Sequence, residues 1–199
     1  MTARLRKALV RGPVSESRLK KGFLLAASPE MQDPLNFKSV VLLCEHTAAG
    51  SFGLMINKPL EIDATIDAEI MTELSHPNVH LRLGGPMRQG QMMLLHTDDS
   101  RKDQMLNISN DIFLGGDMSF LQQSLSEKAS SNLILCFGYL GWGFGELEKE
   151  VAEGLWCLYP ANSDLIFNTE PKKVWASVLK NIGGKYSSYA MLPDDLSAN

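Results

Sequence analysis

The chain has 199 residues, enough for one domain, or at most two small ones, that buries about 70% of its unfolded surface without a disulfide or metal staple. Its 44% hydrophobic and 21% charged residues are ordinary for a globular protein, and no apolar run nears the roughly 20 residues needed to span a bilayer. The net charge of −4 is unevenly spread: Arg4, Arg6, Lys7, Arg11, Arg18, Lys20 and Lys21 against Glu16 give residues 1–21 a charge of +6, leaving −10 on residues 22–199, which disfavours nucleic acid or anionic lipid as partners of the body.

In chain order, Thr2–Val10 is predicted as a short amphipathic helix, capped by Thr2 and ended by Gly12-Pro13. Val14–Lys21 follows as a polar linker, so residues 1–21 form a basic N-terminal arm, and a domain over residues 22–192 follows. The basic start lacks the apolar stretch of a secretory signal; an Arg-rich organellar transit peptide stays open. Short strands are predicted at Phe23–Ala27, Val40–Cys44 and Phe52–Ile56, the last two joined as a hairpin through Thr47-Ala48-Ala49-Gly50. Ala64–Leu74 has the four-residue recurrence of a helix. Strands are expected again at Val79–Leu83, Met92–Leu95, Met105–Ile108 and Ile112–Leu114. A helix capped by Asp117 runs to Lys128, then a strand at Leu133–Phe137, a Gly-rich turn at Gly138–Gly145, a short helix to Glu153 ended by Gly154, and a strand at Leu155–Leu158. The last helix starts at Pro171, carries the stripe Val174, Trp175, Val178, Leu179, Ile182 and stops at Gly183-Gly184; Pro193–Asn199 forms a loose tail. Strands in meander order with helices between groups argue for an α+β fold with a curved, largely antiparallel sheet, and against a doubly wound parallel one.

Chemistry-bearing residues are few. Cys44, Cys136 and Cys157 are odd in number, lack CxxC spacing and sit in apolar runs, so they are expected as buried free thiols in a reducing compartment. His76 and His80 have a ligand spacing, but Pro77 between them opposes the helix it would need. His46 and His96 each close an apolar run. If their strands adjoin, the two rings with Glu45 or Cys44 would make a metal or acid–base site. The plainer reading is that both cap strand ends, and no metal is expected. No GxSxG elbow is present. Gly138–Gly145 has the strand–loop–helix setting of a phosphate loop, but GxGxxG fits in no frame, no Lys-Ser/Thr follows, and Glu146, Glu148 and Glu150 would repel a phosphate. No nucleotide or other cofactor is therefore expected. The segment reads as a turn in which Gly141 and Gly143 give room to Trp142, the anchor of the junction.

Several separate blocks are similar to the YqgE/AlgH family. Gly22–Pro34 with Phe37-Lys38-Ser39-Val40-Val41 resembles its opening; Cys44-Glu45-His46 with Gly50-x-x-Gly53-Leu54-Met55-Ile56-Asn57-Lys58-Pro59 resembles its second block. Gly84-Gly85-Pro86 with Leu95-His96 resembles a third, and Gly138-Tyr139-x-Gly141-Trp142-Gly143-x-Gly145-Glu146 with Gly154-x-Trp156 a fourth. Glu146 stands where the family usually has Gln, and the basic arm before Gly22 is longer than usual. The resemblance implies a compact single domain with a bent sheet approaching a barrel and helices packed outside it. It also implies a bacterial cytoplasmic protein or a plastid relative. It brings no reaction, cofactor or catalytic residue. One family name derives from a proposed regulator of alginate synthesis.

Three functions stand in order: a non-enzymatic binding or regulatory module for a protein or small-molecule partner; an enzyme using Glu45, His46 and His96; and a transcriptional regulator acting on DNA directly or through a partner. Asn57, Gly141, Trp142, Gly143 and Glu146 are the structural or recognition candidates of the first reading. It expects no specific nucleic-acid binding by the body and no membrane association.

Overall fold

A bent sheet organises the chain in the computed structural model, which describes residues 19–60, 74–100, 102–126 and 133–191. Its strands are β1 (Phe23–Ala27), β2 (Val40–Thr47), β3 (Gly50–Met55), β4 (Val79–Leu83), β5 (Met87–His96), β6 (Leu106–Ser109), β7 (Ile112–Leu114), β8 (Leu133–Trp142) and β9 (Trp156–Pro160). The described helices are α1 (Met118–Ser126), α2 (Glu146–Ala152), α3 (Pro171–Ile182) and α4 (Lys185–Tyr189). The strand path is β6-β7-β5-β8-β3-β2-β1-β9, with β4 also on β8. Among the described strands only the β4–β8 pairing is parallel. The expected α+β fold with a largely antiparallel sheet is the one observed, and the sheet stays open. Its far edge nonetheless comes round towards the start of β1: Lys21 Nζ donates to the Asn107 carbonyl at 2.9 Å.

Both faces of the sheet are buried, so its strands read as apolar runs with alternate residues in different cores. Leu24, Ala26, Val40, Leu42, Leu54, Ile134 and Cys136 enter one core with the α3 stripe Val174, Trp175, Val178 and Leu179. On the opposite face Leu25, Ala27, Val41, Leu43 and Met55 meet Leu147 and Val151 of α2. A third cluster packs Phe120 and Leu121 of α1 on Leu133 and Leu135. The helix signals held: the Asp117 carboxylate accepts from the Phe120 N–H at 2.9 Å, and Pro171 opens α3. Trp175 of α3 donates its indole N–H to the Ala27 carbonyl at 2.7 Å, tying the helix to β1.

The Gly-rich segment differs from expectation. The strand does not end at Phe137; β8 continues through Trp142, and only residues 143–145 turn. Gly138 is the reason. Its φ of +74° reverses the alternation, so even-numbered Ile134 and Cys136 face the α3 core while even-numbered Leu140 and Trp142 face α2. β8 thereby pairs with β4 over its first half and with β3 over its second. Gly84 and Gly85 pass directly over this point. A Cβ on Gly84 would run into the Gly138 carbonyl, and one on Gly85 into the backbone of Tyr139. The Gly-Gly-Pro motif and Gly138 are thus two sides of one backbone crossing.

Other differences are smaller. β2 and β5 run longer than predicted, to Thr47 and back to Met87. The π-helical turn Asp164–Asn168 and α4 carried too few residues to show a period. Leu19, in the predicted polar linker, is 7% exposed and packs in the α2 core. The predicted helix Thr2–Val10, the tail Pro193–Asn199 and all but Leu74 of the predicted helix Ala64–Leu74 lie outside the described residues.

Candidate functional site

At the end of β8, Leu140 and Trp142 turn to the face that packs against α2. Trp142 is 8% exposed and Trp156, at the start of β9, is 4% exposed. Their rings meet edge to face, 6.2 Å between centroids and 83° apart. A buried indole N–H needs an acceptor, and both find the same one: Glu150 Oε2 of α2, 2.9 Å from Trp142 Nε1 and 2.6 Å from Trp156 Nε1. The Glu150 carboxylate is thereby fixed by two neutral donors that leave its charge uncancelled.

Beside this pair lies a cleft of about 520 Å³. Leu140, Trp142 and Trp156 line it with Met87 and Pro86, together with Glu146, Lys149 and Glu150 of α2 and Glu153 at its C-cap. The glycines of the turn serve this wall. Glu146 turns back to accept the Gly143 N–H at 2.6 Å, and Gly141 leaves room for Met87, whose sulfur would lie 2.9 Å from a Cβ there. Gly143 itself has no left-handed φ, so it is not held by backbone strain. Phe144, between Gly143 and Gly145, is 82% exposed.

The histidines do not come together. Through strand register, His96 stands level with the first residue of β8 and His46 level with its last. They are therefore up to about 30 Å apart along the strand. His96 is 0% exposed, stacked 5.9 Å from Phe113 and tilted at 47° against Phe120 at 4.8 Å. Among the described residues neither ring nitrogen has a partner of good hydrogen-bonding geometry. Burial lowers its pKa, opposed by the Asp98 charge and by the Asp98 and Gly115 backbone. It is a core residue.

His46 sits at the other end, and a bulge decides its neighbours. Leu43 pairs with Gly53 but Glu45 with Phe52, so Cys44 is the extra residue. Cys44 enters the α3 core, whereas His46 lies opposite Ser51 on the face of Trp142. Cys44 and His46 thus share no face. Burial pushes the Cys44 thiol far up, and those of Cys136 and Cys157 up to about 12, so all three are inert at neutral pH. Glu45 is exposed beside the hairpin loop. Asn57 is structural: it accepts the Val40 N–H at 2.7 Å and donates to the Lys38 carbonyl at 2.9 Å, holding the turn where Lys38 takes φ +52°. No group of three or more His, Cys, Asp or Glu suited to a metal occurs among the described residues.

Glu150 and Trp156 were missed as cleft residues. The pairing of His46 with Ser51 was within reach of the sequence, because a two-residue loop at Ala48-Ala49 sets that register. The sharing of Glu150 by two tryptophans depends on the docking of α2, which no local pattern announces.

The AlgH-like family model matches residues 24–187. The chain belongs to the AlgH-like family. Curated AlgH-like relatives include a UPF0301 protein of Chlamydia pneumoniae, 44% identical over 183 residues, covering 92% of this chain and 97% of the relative. One from Shewanella loihica is 33% identical over 168 residues, covering 80% and 89%. Two solved structures share the AlgH-like fold: a Corynebacterium diphtheriae protein (TM-score 0.72, 19% identity, covering 87% of this chain and 93% of that one), and the Pseudomonas aeruginosa AlgH protein (TM-score 0.67, 22% identity, covering 92% and 97%). No helix among the described residues of this AlgH-like chain is long and apolar enough to cross a membrane.

Proposed function

We propose that the chain is a binding module whose cleft between the end of β8 and α2 takes an apolar group bearing a positive charge, presented by a small molecule or by a side chain of a partner protein. The observation that carries this reading is the Glu150 carboxylate, held at the cleft by the Trp142 and Trp156 indoles. A charged group fixed in position beside apolar walls selects a ligand that neutralises it and fills the space around it. Glu146 on the same wall adds to the preference for a cation, while Lys149 there is paired with Glu153 at 3.9 Å. Direct DNA binding fits poorly, since the body is acidic and the cleft is too. An enzyme built on His46 and His96 fits poorly as well, because register separates them. A regulatory role in the cytoplasm is consistent with the family resemblance and with three unpaired, buried thiols.

Native mass spectrometry of gently purified protein, followed by melting-temperature shifts with a panel of hydrophobic amines and Lys- or Arg-containing peptides, tests the reading. A retained or added cationic ligand that is lost in Glu150→Gln is expected. The glutamine carbonyl still accepts both indole protons, so this variant removes the charge and keeps the wall. Binding that is indifferent to Glu150→Gln, or that selects anions, would sink the proposal.

A further inference from the structure

Apolar surface continues past the cleft. Met87, which lines it, is 45% exposed. Phe144 is 82% exposed and stands in the chain between Trp142 and Glu146, both of which line the cleft. We propose that this stretch docks a segment of a partner protein in which a Lys or Arg lies roughly two to four residues from a large apolar residue. The cation enters the cleft toward Glu150, and the apolar side chain packs on Phe144. Such docking rests on the cation preference of the cleft proposed above and commits it to a protein partner.

The end of β8 and its turn carry the apolar part. The Met87 thioether lies against Gly141, where an added Cβ would meet its sulfur at 2.9 Å, and the rings of Trp142 and Phe144 follow along the chain. A lone exposed apolar side chain needs no partner. Phe144 is not such a case, because it adjoins an exposed Met, a cleft and a fixed carboxylate. Its backbone is fixed as well. Gly145 takes φ +75°, and the Gly143 N–H donates to the Glu146 carboxylate at 2.6 Å, so the turn is held on both sides of the ring. A ring carried on a fixed turn loses little freedom when it is covered, and exposed aromatic and Met side chains are the anchors that interfaces use.

Charge selects the occupant. Glu150 Oε2 takes both indole protons, which leaves Oε1 for an incoming donor. Glu146 lies on the same wall. A second copy of the chain would bring the same acidic wall and be repelled, whereas a basic segment is attracted. Spacing then sets the form of that segment. The four helical steps from Glu150 to Glu146 cover about 6 Å, and two more residues reach Phe144 within about 7 Å. The two anchor points are therefore up to about 13 Å apart, a span that roughly two to four extended residues cover. A small amine would fill the cleft and leave Phe144 in water; a peptide crosses from one to the other.

The experiment selects a displayed library of short random peptides on the full chain and measures the enriched sequences, as synthetic peptides, by fluorescence anisotropy. In parallel, the melting-temperature shift with n-hexylamine reports the cleft alone. The enriched peptides are expected to pair a Lys or Arg with an aromatic or large aliphatic residue at the stated spacing. Phe144→Ser should weaken them about tenfold or more and leave the chain's own melting temperature near that of the parent, because the ring is exposed. Phe144→Tyr, which keeps the ring, should retain the affinity. Glu150→Gln should weaken the peptides at least as much as Phe144→Ser. The hexylamine shift should vanish in Glu150→Gln and persist in Phe144→Ser. A hexylamine shift that needs Glu150, together with peptides indifferent to Phe144→Ser or with no peptide enriched, overturns the partner and leaves the cation preference of the cleft standing. Hexylamine and peptides that both ignore Glu150→Gln overturn the two together. Self-association of the chain that Phe144→Ser abolishes would make a second copy the occupant, and that result also overturns the proposal.

Discussion

His96 is a titratable group enclosed by Phe113 and Phe120, with neither ring nitrogen well hydrogen-bonded among the described residues. Its folded pKa lies below its ordinary value of 6.5, so the folded chain binds fewer protons than the unfolded one in that range. Stability from this group is complete above 6.5 and is lost as pH falls from 6.5 through the lowered folded value. His96→Phe should therefore flatten the dependence of melting temperature on pH between neutrality and mild acid, relative to the parent chain. An unchanged slope would show that His96 is solvated. Trp142 sets a second expectation at this scale. Its ring is buried and its N–H is satisfied, so Trp142→Ala should cost roughly 3–5 kcal/mol in denaturant unfolding. A loss under about 1 kcal/mol would mark the ring as a surface recognition group.

Elements were legible in the sequence where a pattern is local. The hairpin, the Asp117 cap and the Pro171-to-Gly183 helix are cases in which a few adjacent residues carry the whole signal. The candidate site was less legible, because it depends on two local reversals of alternation. The bulge at Cys44 turns His46 away from Cys44, and Gly138 turns Trp142 toward α2. Neither shows in a hydrophobic pattern that is apolar on both faces, where a change of parity leaves the run looking the same. The three glycines here should respond differently to substitution. Gly138→Ala adds left-handed strain and meets the Gly85 and Met87 carbonyls, so a loss of roughly 3 kcal/mol or more is expected. Gly84→Ala should be comparably damaging, as its Cβ meets backbone. Gly143→Val should be mild, because its nearest neighbour is the movable Glu146 carboxylate at 3.3 Å. Urea melts of the three variants rank them, and a Gly143→Val as damaging as Gly138→Ala would contradict this account.

Across the whole molecule, Leu19 and Lys21, which the polarity of the segment assigns to the arm, both touch the domain: Leu19 packs in the α2 core and Lys21 donates to the Asn107 carbonyl. Deleting residues 1–18 should leave the melting temperature close to that of the full chain. Deleting residues 1–21 should lower it, because Leu19 is removed from the α2 core and Lys21 from the Asn107 carbonyl. Equal stability of the two truncations would show that neither contact matters. A specific duplex-DNA interaction retained by the shorter chain at physiological salt would likewise contradict the charge argument. The distribution of indoles offers a last consequence. Trp175 belongs to the α3 core, under the Lys38 ammonium at 5.0 Å, while Trp142 and Trp156 stand nearly perpendicular around one carboxylate. Two of the three chromophores thus form a close, asymmetric dipole pair, and such a pair splits its transitions into a chiral doublet. The near-ultraviolet circular dichroism of the folded chain should contain this signature, and Trp156→Phe should erase it while the emission of Trp175 persists. Any occupant that drew Glu150 away would rotate the two transition moments and announce itself without a label.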